Sequence, residues 1–127
     1  DFESAEQAYH RKTGFFPIMH IIGIRKTVAD ANPALVRALY DAFVAARDKA
    51  LDRLRSVWLG NANRLSLPWL GASMERTLAT LGPDYWSYGF QANRDELATI
   101  CRYSLQQHLA AAQVTPEAMF HASLLET

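Results

Sequence analysis

Apolar residues recur along most of this chain at intervals of three and four, the spacing of one face of a helix. Val36, Leu39, Tyr40, Phe43, Ala50, Leu54 and Val57 follow it, while Arg37, Asp41, Arg47, Asp48, Asp52, Arg53 and Arg55 mostly fill the other side. The pattern predicts a long amphipathic helix over 34–58, capped by Asn32 and opened by Pro33, whose fixed φ suits the first helical position. Leu70, Met74, Leu78 and Leu81 predict a second helix that Gly82-Pro83 stops. Ser4 with Gln7, and Asn93 with Glu96, have the spacing of capping boxes. The first predicts a short helix over 5–13 ended by Gly14, with Tyr9 on its buried face. The second predicts a helix running to about 112 with Leu97, Ile100, Ser104, His108 and Leu109 turned inward. Thr115-Pro116-Glu117 opens a last helical turn. Residues 60–67 and the aromatic run Asp84-Tyr85-Trp86-Ser87-Tyr88-Gly89 read as loops.

Residues 15–25 break this pattern. Phe15-Phe16-Pro17-Ile18-Met19-His20-Ile21-Ile22-Gly23-Ile24-Arg25 is short, β-branched and apolar on both alternating faces. That is how a strand covered on both sides reads, with Pro17 at its start where no ladder donor is needed. A lone strand leaves its amides and carbonyls unpaired. The expectation is therefore a mainly α-helical chain with one central β-strand, a C-terminal fragment of an α/β protein whose remaining strands lie upstream. The opening Asp1-Phe2-Glu3, without an initiator Met or a basic and apolar leader, fits an excised piece. An uncovered strand also predicts self-association as a homo-oligomer, since an open edge is a template for pairing between chains.

Composition narrows the classes. The 127 residues carry 13 Lys+Arg and 13 Asp+Glu, so nothing favours a general nucleic-acid binder. No apolar run reaches the roughly 18 residues a membrane span needs. A single cysteine, Cys101, rules out an internal disulfide and a cysteine-based zinc site, and its place on the inner half of a helix marks it as a small buried hydrophobe. Glycine-rich phosphate loops, Gly-x-Ser-x-Gly elbows and His-x-x-x-His pairs are all missing from the sequence, and His10, His20, His108 and His121 are too scattered to suggest a metal site. Within the strand-like run, His20 stands out. An imidazole among apolar residues is costly unless its nitrogens find partners, so His20 is either satisfied by neighbouring groups or opens on a cleft where it meets a ligand or moves a proton. Tyr85, Trp86 and Tyr88 are either core plugs or ligand walls.

Larger motifs then carry a resemblance. Thr13-Gly14-Phe15-Phe16-Pro17-Ile18-Met19-His20 resembles the T-G-x-F-P-I-M-H segment of the 4,5-dihydroxyphthalate decarboxylase family. The likeness continues through Asn32-Pro33, Leu39-Tyr40-Asp41-Ala42-Phe43, Leu67-Pro68-Trp69, Gly82-Pro83-Asp84-Tyr85-Trp86-x-Tyr88-Gly89, Asn93-Arg94, Arg102-Tyr103-Ser104 with Gln107, and Thr115-Pro116-Glu117-x-x-Phe120. Ser87 stands where the family often has proline, and His108 where it often has glycine. The resemblance implies a type II periplasmic-binding-protein-like fold of two α/β lobes, with residues 1–127 a single C-terminal segment of it. It implies a cytoplasmic lyase of phthalate degradation that converts 4,5-dihydroxyphthalate, or a close aromatic acid, to protocatechuate and CO2 without a cofactor. His20 would be the acid/base or carboxylate ligand, Tyr85, Trp86 and Tyr88 the cleft wall, and Arg25 and Arg94 anion contacts, with no metal, nucleic acid or membrane involved. The fragment alone would be inactive. The same fold also serves transporter-linked receptors, so a solute-binding receptor for a small aromatic or anionic ligand is the alternative.

Overall fold

The computed structural model describes residues 1–60 and 66–127. The helices in order are α1 (Phe2–Thr13), α2 (Lys26–Ala31), α3 (Pro33–Leu59), α4 (Leu70–Leu81), α5 (Phe90–Gln106) and α6 (Pro116–Met119), followed by a 3₁₀ turn, Ala122–Leu124. The loop expected over 60–67 falls mostly on 61–65, outside the described residues. The chain divides into two compact units. One comprises Asp1–Phe16 and Ala42–Trp86, the other Pro17–Asp41 and Ser87–Thr127, so α3 begins in the second and ends in the first.

In the first unit, α1 starts one turn earlier than the Ser4/Gln7 pattern predicts. The Asp1 carboxylate accepts from the Ser4 backbone N–H and, at 2.7 Å, from the Ser4 hydroxyl, while the Gln7 amide donates to Glu3 instead of reaching back. Gly14 closes the helix as expected, at φ 75° with its N–H on the His10 carbonyl. Helix α4 has the predicted bounds. Its Met74 is buried, and Arg76 pairs with Glu3 of α1 at 3.0 Å. Phe16 tilts against Trp86 with ring centroids 6.1 Å apart.

The second unit contains α2, whose short polar sequence gives no periodic signal; it begins where the Arg25 carbonyl accepts from Val28 and Ala29. Helix α5 starts at Phe90, before the expected cap. Asn93 lies inside it and donates to the Gly89 carbonyl at 2.8 Å. Gly89 supplies no side-chain cap. Residue Thr127 does that work from 37 positions away, its hydroxyl accepting from Phe90 N–H at 3.1 Å and its carbonyl from Gln91 N–H at 2.7 Å. The inward stripe of α5 is Phe90, Leu97 and Cys101; Ile100 and Leu109 point outward, contrary to the spacing-based expectation. Cys101 is buried as expected, with Met119 Sδ at 3.5 Å from its Sγ, and Phe90 meets Phe120 edge-on at 5.4 Å. The helix ends at Gln106, short of 112. His108 takes φ 59°, its N–H bonds the Leu105 carbonyl, and Leu109 N–H bonds the Ser104 carbonyl, the two bonds of a Schellman stop. The Thr115 hydroxyl caps α6.

The central β-strand is not there. Residues 15–25 have no regular structure, and no strand or sheet occurs among the described residues. The β-branched composition specifies an extended run, but a strand also needs a neighbour to complete its ladder. The side chains are not covered on both faces either, since Ile18, Met19, Ile21 and Ile22 are 39%, 57%, 67% and 59% exposed. Among the described residues the chain is therefore helical, and an α/β assignment with a central strand is wrong for it.

Candidate functional site

The four histidines have separate fates. His121 sits at the start of the 3₁₀ turn, where its Nδ1 accepts from the Ser123 backbone N–H at 3.2 Å and lies 2.8 Å from the Ser123 hydroxyl. That arrangement places the ring proton on Nε2. His108 serves the end of α5. His10, in the last turn of α1, has Nδ1 buried and, among the described residues, without a partner. His20 is exposed on the extended run, and among the described residues no hydrogen bond or ion pair engages its ring. The expected burial cost is thus absent, and the imidazole is accessible for a bound molecule or a proton.

The run that carries His20 is tied down at identifiable points. The Ile18 backbone N–H donates to Glu96 Oε1, on α5, at 2.5 Å. Five residues beyond His20, the Arg25 carbonyl anchors the first turn of α2. The sequence pattern assigned Glu96 a local capping role. It reaches instead across 78 positions, which no spacing rule signals.

Arg25 is exposed, and among the described residues its side chain has no ion-pair partner. Arg94, also exposed, places Nε and Nη2 at 3.1 Å and 2.9 Å from Glu117 Oε1 on α6. Glu117's own backbone N–H and then the Arg94 guanidinium hold its carboxyl below the usual glutamate range. An anion approaching Arg94 therefore competes with a carboxylate already in place. Among the described residues, His20, Arg25 and Arg94 share no hydrogen bond or ion pair. The aromatic run is divided: Tyr85 and Trp86 belong to the first unit, where Tyr85 is half-buried and the Trp86 carbonyl accepts from Arg47 at 3.4 Å, and Tyr88 belongs to the second. The N-terminus of α5 offers no anion site, because Thr127 already fills it.

Among the described residues no group of three His, Cys, Asp or Glu side chains could hold a metal ion, and no helix is long and apolar enough to cross a membrane. What the second unit offers is an accessible imidazole on an anchored extended segment and, five residues along it, a guanidinium without an ion-pair partner among the described residues. Such a set can donate a proton and receive an anion.

No family model matches the chain. It is 31% identical, over all 127 residues, to 4,5-dihydroxyphthalate decarboxylase from Comamonas testosteroni, and it spans 38% of that protein's length. The chain is thus a distant relative of 4,5-dihydroxyphthalate decarboxylase.

Proposed function

We propose that the protein carrying this chain is a non-oxidative aromatic decarboxylase acting on 4,5-dihydroxyphthalate or a close aromatic acid. The observation that carries this reading is the 31% identity to a decarboxylase over the whole chain. The reaction exchanges a carboxylate for a proton on one ring carbon. A hydroxyl para to that carbon, partly deprotonated, pushes electrons into the ring as the carbon accepts a proton. The C–C bond to the carboxylate then breaks, CO2 leaves, and its electron pair restores the aromatic ring. Atoms and electrons balance without an external oxidant or reductant.

The chemistry asks the protein for a proton donor and a cation for the carboxylate that stays. His20 is the donor in this proposal, because its ring is accessible and engaged by no described residue. Arg25 is the better placed of the two arginines for the remaining carboxylate, since Arg94 is bound to Glu117. Tyr88, in the same unit as His20 and Arg25, is the candidate for the wall against the ring. Incubating the protein that carries this chain with 4,5-dihydroxyphthalate, and following CO2 together with protocatechuate, tests the proposal. Stoichiometric release of both is the expected result. Saturable binding without CO2 would instead identify a solute receptor.

A further inference from the structure

We infer that Glu96 is a positioning residue for His20; the catalytic half of this inference rests on the decarboxylase reading, and the structural half does not. The Glu96 carboxylate accepts from the Ile18 N–H, the one hydrogen bond that a main-chain group of residues 17–24 makes to another described residue. The extended run has no ladder and little burial to hold it: Met19, Ile21 and Ile22 are mostly exposed. Each residue contributes two soft torsions, so freedom accumulates quickly along such a segment. Only the torsions of Ile18 and Met19 lie between the anchored nitrogen and the Cα of His20. Downstream, the next fixed main-chain point is the Arg25 carbonyl at the start of α2. Glu96 therefore shortens the free span on which His20 rides and references it to α5, a helix held by the buried Phe90, Leu97 and Cys101. A proton donor contributes fully only when its reach to the reacting carbon is preset, and misplacement by about 1 Å can lower a rate on the order of 100-fold.

The test compares Glu96→Ala, which removes the acceptor, with Glu96→Gln, which keeps an acceptor oxygen at the same reach, and with Asp95→Ala as a neighbouring control. Amide exchange at Ile18 and the ring resonances of His20, read by NMR, form the first arm; CO2 release forms the second. In Glu96→Ala, Ile18 exchange should accelerate about 10- to 100-fold, as expected when a hydrogen bond to a charged acceptor is lost, and the His20 ring signals should move toward those of a mobile side chain. Turnover should fall by a similar factor, mostly in kcat. Glu96→Gln should restore most of both readouts, and Asp95→Ala should change neither. Unchanged Ile18 exchange in Glu96→Ala would overturn the inference, as would faster exchange with undiminished turnover or the same loss in Glu96→Gln. If the unmodified protein releases no CO2, the decarboxylase reading fails by itself, and the NMR arm still decides whether Glu96 positions His20.

Discussion

Gly89 is where a single methyl group should do the most damage. Its φ of 106° and ψ of 160° lie in a region that L side chains rarely adopt. A Cβ added there would come within 2.9 Å of the Thr127 carbonyl carbon, 3.0 Å of its oxygen and 3.0 Å of the Tyr40 hydroxyl. The backbone conformation alone costs a non-glycine residue about 1–3 kcal/mol. Relieving the collision means displacing Thr127, which takes with it the bonds to Phe90 N–H and Gln91 N–H, about 1 kcal/mol each. Gly89→Ala should therefore destabilise the second unit by about 3–5 kcal/mol, a large part of the roughly 5–15 kcal/mol that holds a domain folded. At this chain length that is a fall of about 10–20 °C in melting temperature. Two other glycines separate the causes. Gly14→Ala, at φ 75° with nothing within 4 Å, carries the positive-φ penalty without a collision and should cost about 1 kcal/mol. Gly23→Ala, with open space and no positive φ, should lie within about 0.5 kcal/mol of the unmodified protein. Circular dichroism melts and urea titrations of the three variants read the series directly. A Gly89→Ala protein as stable as Gly14→Ala would show that Thr127 does not seat against Gly89, and the capping argument would fall with it.

His20→Asn should reduce CO2 release by about 10²–10⁴-fold and leave the melting temperature unchanged, because the ring is exposed; normal turnover would remove His20 from the mechanism. His108→Gly should stabilise the protein by about 1 kcal/mol, since the position holds a left-handed conformation that costs a residue with a Cβ about that much; a lower urea midpoint would contradict this. Because the Glu117 carboxyl is held below its ordinary value of 4.5, the folded state binds that proton later than the unfolded chain does. Its contribution is therefore complete above that value and is lost as pH falls through the lowered one; Glu117→Gln should flatten this limb of the stability profile, and an unchanged profile would discount the Arg94 pair. The exposed apolar run of Ile18, Met19, Ile21 and Ile22 should drive concentration-dependent self-association that Ile21→Lys with Ile22→Lys suppresses; light scattering showing a monomer at high concentration would refute it.

The helices that were legible in the sequence are those whose signal is local. Leu70, Met74, Leu78 and Leu81 with Gly82 delimit α4 without outside help, and Asn32-Pro33 marks the start of α3. Helix α2 has no local signal, because Lys26, Thr27, Asp30 and their neighbours have no apolar period; it rests on the chain turning at Arg25. Both capping-box readings failed for one reason: a side chain with a suitable local partner can find a better one. Ser4 answers to Asp1, and Glu96 to an amide 78 positions away. The composition of residues 15–25 predicts a strand because it reports backbone preference, whereas a strand is a relation between two segments. His20 and Arg25 could be singled out by residue type, but the Glu96 bond to the Ile18 amide and the carboxylate that occupies Arg94 are tertiary facts. The glycine that the resembled family often has at 108 has a physical basis, since the stop of α5 requires a positive φ there.

The seat of Thr127 on α5 also orders events in time. A ribosome delivers the second unit's residues from the amino end, and α5 has all its own residues long before residue 127 exists. Until then the Phe90 and Gln91 amides are left to water, and the first turn of α5 is free to fray. The first turn of α5 is therefore closed late, over the span between Gly89 and Thr127. Chains halted a few residues short should emerge with α5 loose at its start, an opening that proteases acting on nascent chains would find between Tyr88 and Gln91.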